Sequence, residues 1–395
     1  MSNSEKSPVL LSATRTPIGR YLGGLAGLPA TEIGAVAVRE AVRRAGVDPG
    51  AVEEVILGNA LQGGEGQGPA RQAAMGGGIP SSVPAVTINK VCGSGLKAVM
   101  LASQAIRAGD AQCVVAGGME SMSNAPHYLW GLRSGVKLGH QQVKDGLVHD
   151  GLWCSFGECH MGSHAEYTAT KAGISRAEQD EFALRSHQKA VAAMDACRFA
   201  NEIVPVEVPG RKGVTVVDRD ESPRKETSLE ALAQLKPAFQ KDGSVTAGNA
   251  PGLNDGASAL VVASEAFARA HGLEIMARVT AYATGGGEPR DLFFAPIQAV
   301  RNLMAKAGSQ IDDYDLIEAN EAFAVQALAD GKALGWDWDR VNVNGGAIAL
   351  GHPIGASGAR VLTTLLHAMR DRGAATGLAT LCLGGGNAVA LSVEQ

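Results

Sequence analysis

The sequence lacks most of the features that mark secreted, zinc-binding or membrane-spanning proteins. Its 395 residues contain no Cys-x-x-Cys pair and only 4% aromatic residues. The missing Cys-x-x-Cys pair argues against a structural zinc site. No run of about 20 apolar residues is present, so no transmembrane helix is predicted. The first ten residues are polar before a strand-like run begins, which predicts no secretory signal peptide.

Charge is also scarce, at 19% of residues and a net value of -5, so nothing predicts nucleic-acid binding. The length and the 45% hydrophobic content predict two or three domains with a sizeable buried core. Six cysteines are present without a secretory signal. We therefore expect reduced thiols and a cytoplasmic location.

The sequence does contain an internal duplication. Residues 37–60 resemble residues 299–322, and each copy shows an amphipathic helix, an Ala-Gly stop, an acidic turn and a strand that ends near an Asn. Gly46 and Gly308 fall at the position that ends a helix. Farther along, each copy has a glycine-rich turn, a helix and a strand. This alternation predicts an α/β fold with a mostly parallel, buried sheet whose strand-to-helix turns face one crevice.

A long insertion of different texture, roughly residues 121–249, separates the two copies. Ser175 and Glu178 form a capping-box pattern, which predicts a helix that runs to about Ala196. Insertions of this length usually cover or shape an active site. The alternative is a surface excursion without a role.

Cys92 is the first candidate for chemistry, in the segment VCGSG at a predicted strand-to-helix turn. The unpaired N–H groups of a helix N-terminus favour a thiolate. Gly93 and Gly95 leave the sulfur open to a ligand. A buried structural cysteine remains the alternative from this segment alone.

His352 and Cys382 are the second and third candidates. His352 lies on a rigid turn, GHPIGASG, at the equivalent place in the second copy, and a neutral imidazole there could take a thiol proton. Cys382 precedes three glycines whose N–H groups could bind an oxyanion. Asn320, after a predicted strand, could fix a water. A core histidine, a strand-core thiol and a helix cap are the respective alternatives.

The remaining cysteines are predicted to be structural. Cys154, Cys159 and His160 lie close enough in sequence to suggest a metal site. No fourth ligand is evident, so no metal is predicted.

Four motifs, NKVCGSG, NEAFA, GHPIGASG and CLGGG, occur in an order that resembles the thiolase family. The resemblance covers nearly the whole chain, and the related condensing enzymes of fatty-acid synthesis lack the second cysteine. It implies a duplicated βαβ core in five layers, αβαβα, with an inserted loop domain. The implied division is residues 1–120 plus 250–273, the loop domain 121–249, and residues 274–395.

The resemblance also implies roles for individual residues. Cys92 would be acylated, His352 would activate it, and Cys382 would remove the α-proton of acetyl-CoA. Asn320 would position a water for one oxyanion hole, and the N–H groups of Cys92 and Gly384 would form the other. The residues implied in substrate and coenzyme A binding are His160, Met161, Arg224, Ala250, Pro251 and Phe323.

The implied activity is that of an acyl-CoA C-acetyltransferase, which reversibly condenses acetyl-CoA with an acyl-CoA to form a 3-oxoacyl-CoA. No cofactor is expected beyond the coenzyme A thioesters that serve as substrates. A homodimer or homotetramer in fatty acid metabolism is expected, without nucleic-acid or membrane partners. The alternatives are a non-condensing acyl-CoA or lipid-binding protein and a cysteine thioesterase.

The sequence departs from the thiolase pattern at three places. Pro251 stands where thiolases commonly have Ser, which removes a hydroxyl and a backbone donor. The segment LFFAP, with Phe293 and Phe294, replaces a Met-Gly-x-Gly-Pro segment, so we expect a reshaped acyl pocket. Cys154 and Ser155 replace the usual acidic and small residues.

Overall fold

A computed structural model describes residues 6–395, and residues 1–5, the start of the predicted N-terminal half, lie outside the described residues. The α-helices are α1 Ala30–Ala45, α2 Pro69–Gly76, α3 Ser94–Ala108, α4 Met161–Ala172, α5 Arg176–Asp195, α6 Leu229–Ala233, α7 Glu265–Ala270, α8 Ala295–Ala307, α9 Ala324–Leu334, α10 Ala347–Leu350 and α11 Ile354–Arg372. The strands are β1 Pro8–Arg15, β2 Gly19–Arg20, β3 Glu54–Gly58, β4 Ala85–Ile88, β5 Cys113–Ser121, β6 His127–Leu129, β7 Val143–Asp145, β8 Trp153–Cys154, β9 Cys159–His160, β10 Val206–Gly210, β11 Gly213–Val217, β12 Asn254–Ser264, β13 Ala277–Gly286, β14 Leu316–Ala319, β15 Thr376–Leu383 and β16 Asn387–Glu394.

The main sheet is built from two copies of one strand arrangement. Strands β4, β3, β5, β12 and β1 lie side by side in the first half, and β13, β16, β15 and β14 continue the order in the second. A short pairing between β1 and β13 joins the halves. Both halves even carry an irregularity at the matching place, between Leu10 and Ser12 in β1 and between Val279 and Ala281 in β13. The predicted duplication is therefore confirmed.

The prediction of a mostly parallel sheet is wrong. Parallel pairing is confined to β3 with β4 and β5 and to β14 with β15, whereas the remaining neighbours in the sheet are antiparallel. The reason is visible in the second half, where only residues 384–386 connect β15 to β16. So short a connection can form only a hairpin, and a hairpin joins antiparallel strands. In the first half the same connection, between β5 and β12, is made by residues 122–253.

Three apolar clusters define the layers. One packs α1 and α2 on the outer face of the first-half strands, and another packs α8 on the outer face of the second-half strands. Between the two sheet halves, α3 and α11 share a central cluster with strands of both. The order is αβαβα, as predicted. None of the helices in residues 6–395 is long and apolar enough to cross a bilayer.

The two central helices approach each other closely through a pair of glycines. A Cβ at Gly95 would lie 2.6 Å from the backbone nitrogen of Ala359, and a Cβ at Gly358 would lie 2.3 Å from that of Leu96. The two contacts are equivalent when Gly95 is matched with Gly358, because Leu96 then matches Ala359. In the same match Cys92 corresponds to Gly355, which is three residues beyond His352. The prediction that His352 occupies the place equivalent to Cys92 is thus wrong by about one helical turn.

Candidate active site

Cys92 lies on a tight turn that directly precedes α3. Val91 adopts a φ of 47°, a backbone conformation that β-branched residues rarely take. The hydroxyl of Ser94 holds the turn, because it accepts from the backbone N–H of Lys90 at 2.8 Å and donates to the carbonyl of Val91 at 2.6 Å. A side chain at Gly93 would collide with Leu383, since its Cβ would lie 2.2 Å from Cδ2. The turn therefore fixes the half-buried sulfur against the end of β15.

The environment of Cys92 favours a neutral thiol in the resting protein. Burial raises its pKa to about 12, and the Glu120 carboxylate acts in the same direction. The backbone N–H groups of Cys92 and Gly384 point at the sulfur and lower the pKa in part. The expectation that the helix N-terminus would favour a thiolate is therefore wrong, because desolvation raises the pKa of Cys92 by more than the N–H groups lower it.

His352 is buried and held in one tautomer. The hydroxyl of Ser357 donates to the carbonyl of Pro353 at 2.8 Å, so it accepts from Nδ1 of His352 at 2.5 Å. With the proton on Nδ1, Nε2 carries the lone pair. Burial, together with the charge of Arg360, lowers the pKa of His352 to about 3. The imidazole is thus a neutral hydrogen-bond acceptor at physiological pH.

Cys382 is the second-last residue of β15, and Leu383 separates it from the glycine hairpin. It is buried, and burial raises the pKa of its thiol well above the ordinary value, with a further contribution from Cys92. Gly385 and Gly386 both have a φ of 82°, and a Cβ at Gly386 would lie 2.5 Å from the carbonyl oxygen of Gly287. Glycine is required there for the hairpin to close.

These groups share one cavity of about 500 Å³ whose lining is mainly apolar. The predicted site residues that line it are Cys92, His160, Met161, Ala250, Pro251, Phe323, His352, Cys382 and Gly384. They come from both halves of the duplicated core and from the insertion. A cavity of this size accommodates a small ligand or the end of a longer one.

Asn320 is a predicted site residue that does not line this cavity. It is completely buried, and its Oδ1 lies 3.5 Å from an Nη atom of Arg360. Its Nδ2 has no hydrogen-bond partner within residues 6–395. A buried amide donor without a protein partner is a usual position for an internal water.

Arg224 also lies outside the main cavity. Its side chain is exposed beside a neighbouring cavity of about 290 Å³. The two cavities share Tyr21, Ala250, Gly252 and Leu253, so they lie next to each other.

Aromatic rings form part of the cavity wall. Phe323 packs edge-to-face against Phe293, with ring centroids 5.2 Å apart, and against Phe239 at 6.3 Å. His160 stacks on Phe239 at 4.7 Å, while its Nδ1 accepts from the backbone N–H of Gly162 at the start of α4. Within residues 6–395 no cluster of three His, Cys, Asp or Glu side chains could hold a metal ion.

Several contributors to the site were not predicted. Tyr21, Phe239 and four residues of a further segment, Leu147, Val148, Gly151 and Leu152, line the cavity but were not singled out from the sequence. Ser357 orients His352, and its place on the first turn of α11 was available from the GHPIGASG segment. Asn254, the first residue of β12, accepts from the backbone N–H of His352 at 2.9 Å. This hydrogen bond holds the turn that carries His352, although Asn254 follows the insertion in sequence.

Comparisons with known proteins identify the family and the relatives that this chain resembles. Residues 8–266 match the model of the thiolase N-terminal domain, and residues 273–395 match that of the thiolase C-terminal domain. The chain is 56% identical to an acetyl-CoA acetyltransferase of Pseudomonas aeruginosa, over 98% of this chain and 99% of that protein. It is 55% identical to a probable acetyl-CoA acetyltransferase of Escherichia coli, over 99% of both. The crystal structure of the Bacillus anthracis acetyl-CoA acetyltransferase superposes with a TM-score of 0.97, at 43% identity and with complete coverage of both chains.

Proposed function

The chain belongs to the thiolase family, and we propose that it transfers an acetyl group from acetyl-CoA to the α-carbon of a second acetyl-CoA. One observation carries the proposal: the two thiols of Cys92 and Cys382 and the imidazole of His352 line a single cavity. The reverse reaction cleaves a 3-oxoacyl-CoA with coenzyme A. Both directions need a nucleophile and a separate base, and this cavity contains candidates for each.

The first step is the acylation of Cys92. As its thiol is neutral at rest, Nε2 of His352 takes the thiol proton while the sulfur attacks the thioester carbonyl. The carbon–sulfur bond to coenzyme A then breaks, and the proton passes to the departing thiolate. The N–H groups of Cys92 and Gly384, which already point at the sulfur, are placed to bind the carbonyl oxygen of the acyl group.

The second step forms the carbon–carbon bond. Cys92 is now blocked by the acetyl group, so another base must remove the α-proton of the incoming acetyl-CoA, and Cys382 is the remaining thiol of the cavity. Because burial keeps this thiol protonated at rest, it first gives its proton to Nε2 of His352, and the Cys382 thiolate then takes the α-proton. The resulting enolate attacks the acetyl carbonyl, and the Cys92 sulfur leaves and takes the proton back from His352. We assign Asn320 to hold a water beside the enolate oxygen, on the strength of its buried Nδ2 without a protein partner. No cofactor is required by these steps.

The neighbouring cavity provides the route for the rest of the coenzyme A molecule. We assign His160, Met161, Ala250 and Pro251 to the pantetheine, because they line the main cavity and Ala250 also lines the neighbouring one. Arg224 lies beside the second cavity, where its cationic side chain suits a phosphate-bearing nucleotide. Pro251 can donate no backbone hydrogen bond to the pantetheine, since it has no N–H.

A non-condensing binding protein and a thioesterase are not favoured, because the similar proteins are acetyltransferases and the cavity holds a second thiol. The proposal is tested by treating the protein with acetyl-CoA and mapping its tryptic peptides. The peptide of residues 91–97 should gain one acetyl group, and added acetoacetyl-CoA plus coenzyme A should be consumed. Release of free acetate without transfer to coenzyme A or acetyl-CoA would contradict the proposal.

We also propose that the chain assembles as a homotetramer. Strand β4 lies at an open edge of the main sheet, with Val86 exposed, and such an edge can pair with a second copy. The β6–β7 hairpin exposes further apolar side chains, namely Leu129, Trp130, Leu132, Val136, Leu138 and Val143. Light scattering should give about four times the 40.6 kDa chain mass. A monomer would contradict this assembly, and polar substitution of Leu132 and Leu138 should reduce the mass to that of a dimer.

A cytoplasmic location and a place in fatty acid metabolism complete the proposal. All six cysteines are unpaired, which suits a reducing compartment. Two-carbon condensation and cleavage of acyl-CoA thioesters is the chemistry by which fatty acyl chains grow or shorten.

A further inference from the structure

A second pair of thiols lies outside the catalytic site, on the small hairpin of β8 and β9. Cys154 and Cys159 are directly opposite each other in the antiparallel pairing of the two strands. Opposed residues of an antiparallel pair have Cα atoms about 4.5 to 5.5 Å apart and side chains on the same face. That spacing lies within the range in which two cysteines can form a disulfide, about 4.4 to 6.8 Å.

The contacts of Gly157, at the tip of this hairpin, place the two sulfurs in the same small space. The backbone N–H of Gly157 donates to Sγ of Cys154 at 3.3 Å. A Cβ at Gly157 would also lie 3.3 Å from Sγ of Cys159. The Cys154 thiol further contributes to a raised pKa of Cys159, after the larger effect of burial. Both sulfurs therefore face the inside of the hairpin.

One of the two thiols has a base beside it. Nε2 of His164, on the first turn of α4, lies 3.6 Å from Sγ of Cys159. Burial lowers the pKa of His164, and a hydrogen bond from the ring to the backbone carbonyl of Arg290 offsets this only in part. Nε2 is then free to accept the Cys159 proton. Cys159 is partly exposed whereas Cys154 is buried, so an external oxidant reaches Cys159 first.

We propose that Cys154 and Cys159 form a reversible dithiol–disulfide site that a hydroperoxide oxidises. The Cys159 sulfur attacks the peroxide, a sulfur–oxygen bond forms, the oxygen–oxygen bond breaks, and water leaves with the Cys159 proton. Cys154 then attacks the resulting sulfenic acid, a sulfur–sulfur bond forms, the sulfur–oxygen bond breaks, and a second water leaves. Two thiols and one hydrogen peroxide thus give one disulfide and two waters.

The site is joined to the wall of the main cavity. His160 and Met161 follow Cys159 directly and line that cavity. Phe156, at the hairpin tip, covers Gly385, since a Cβ there would lie 3.3 Å from Cε2 of Phe156. A disulfide across the hairpin therefore fixes a segment that contacts the Cys382 loop.

The experiment exposes the intact protein to hydrogen peroxide, alkylates the remaining thiols and maps the tryptic peptides. Residues 145–171 form one peptide that holds both cysteines and no other. We expect this peptide to lose two hydrogens and to escape alkylation, and dithiothreitol to restore two alkylatable thiols. Cys197 is exposed and should show only oxygen addition.

Three variants provide the matched controls. Cys154→Ser should stop the oxidation of Cys159 at the sulfenic acid, which a dimedone probe captures, and Cys159→Ser should leave Cys154 reduced. His164→Asn should form the disulfide more slowly than the parent. The proposal is overturned if the parental peptide keeps both thiols while Cys197 is oxidised, or if oxidation proceeds beyond the sulfenic acid without forming a disulfide.

Discussion

The two halves of the core share four matching strands, β3, β5, β12 and β1 in the first and β14, β15, β16 and β13 in the second, but they connect the last two along the chain in different ways. The second half passes from β15 to β16 through residues 384–386, whereas the first half passes from β5 to β12 through residues 122–253. The short connection brings Gly384 to the Cys92 sulfur. The long one supplies Phe239, His160 and Met161 to the main cavity, and it carries Arg224 beside the neighbouring one. The duplicated core thus contributes to the reacting groups through its short connection and to the binding surface through its long connection.

A second difference lies at the ends of β3 and β14. Gly58 aligns with Asn320, and a Cβ at Gly58 would lie 2.4 Å from Cβ of Ser94 at the start of α3. The first half therefore has no room for the amide that the second half carries. The halves have diverged where their chains meet the cavity, while the β1 and β13 irregularities still match.

The largest expected effect concerns the base that activates Cys92. His352→Asn should slow the acetylation of residues 91–97 by about 10²- to 10⁴-fold, because the imidazole that lines the cavity with its lone pair on Nε2 is lost as a base. His367→Asn is the matched control, since His367 is also buried on α11 but bonds to the carbonyl of Ala13. Rapid-quench mass spectrometry measures both rates. Equal losses in the two variants would refute a specific role for His352.

The second prediction concerns the charge state of Cys92. Its pKa is raised to about 12, so the thiolate fraction grows with pH throughout the ordinary range. Alkylation of residues 91–97 by iodoacetamide should accelerate about tenfold for each pH unit up to at least about pH 10. A plateau near neutral pH would show instead that the sulfur is ionised at rest and paired with a protonated His352.

The third prediction tests the symmetry of the central helices. Gly95→Ala and Gly358→Ala should each lower the free energy of unfolding by about 1–3 kcal/mol, because each new methyl group meets the backbone of the other helix. Gly287→Ala is the control, as no atom lies within 4 Å of the added Cβ. Urea denaturation compares the three. If only one of the helix glycines is sensitive, the contact is not the shared feature of both halves.

The sequence alone was sufficient for the duplication and the cavity thiols, but less so for the helix boundaries. The glycine C-caps at Gly46 and Gly308 and the capping box of Ser175 and Glu178 are local signals, and all are present in the structure. The GHPIGASG segment was predicted as a rigid turn, but α11 begins within it, at Ile354. Two of its glycines, Gly355 and Gly358, disfavour a helix by propensity. Packing against α3 overrides that propensity.

The electrostatics of the site could not be obtained from sequence either. A helix N-terminus suggested a thiolate at Cys92, but the sign of the pKa shift depends on burial by the opposite half of the core. Similarly, β16 is antiparallel to β15 because residues 384–386 form a hairpin, and β12 pairs with β5 in the same orientation across the long insertion; the strands' own patterns show neither orientation. The pKa of Cys92 and the orientation of these strands depend on other parts of the chain, and the local sequence pattern carries no signal for either.

The smallest expected effect concerns the aromatic side chains of the cavity wall. Phe293 lines the cavity, whereas Phe294 points toward Lys171, 5.1 Å from its ring centroid. Phe293→Ala should therefore raise the thiolysis of longer 3-oxoacyl-CoA substrates relative to acetoacetyl-CoA by about tenfold. Phe294→Ala should leave the ratio unchanged. A panel of increasing chain length measures this, and an unaltered ratio in the Phe293 variant would place the acyl chain elsewhere.

The most direct test of the division of labour is Cys382→Ser, with both half-reactions followed in the same preparation. The acetylation of residues 91–97 should continue at nearly the parental rate, since Cys92, His352 and Gly384 remain. Formation of acetoacetyl-CoA should fall by about 10²- to 10⁴-fold, because the α-proton base is lost. Condensation at the parental rate, or an equal loss of acetylation, would contradict the assignment of separate tasks to the two cysteines.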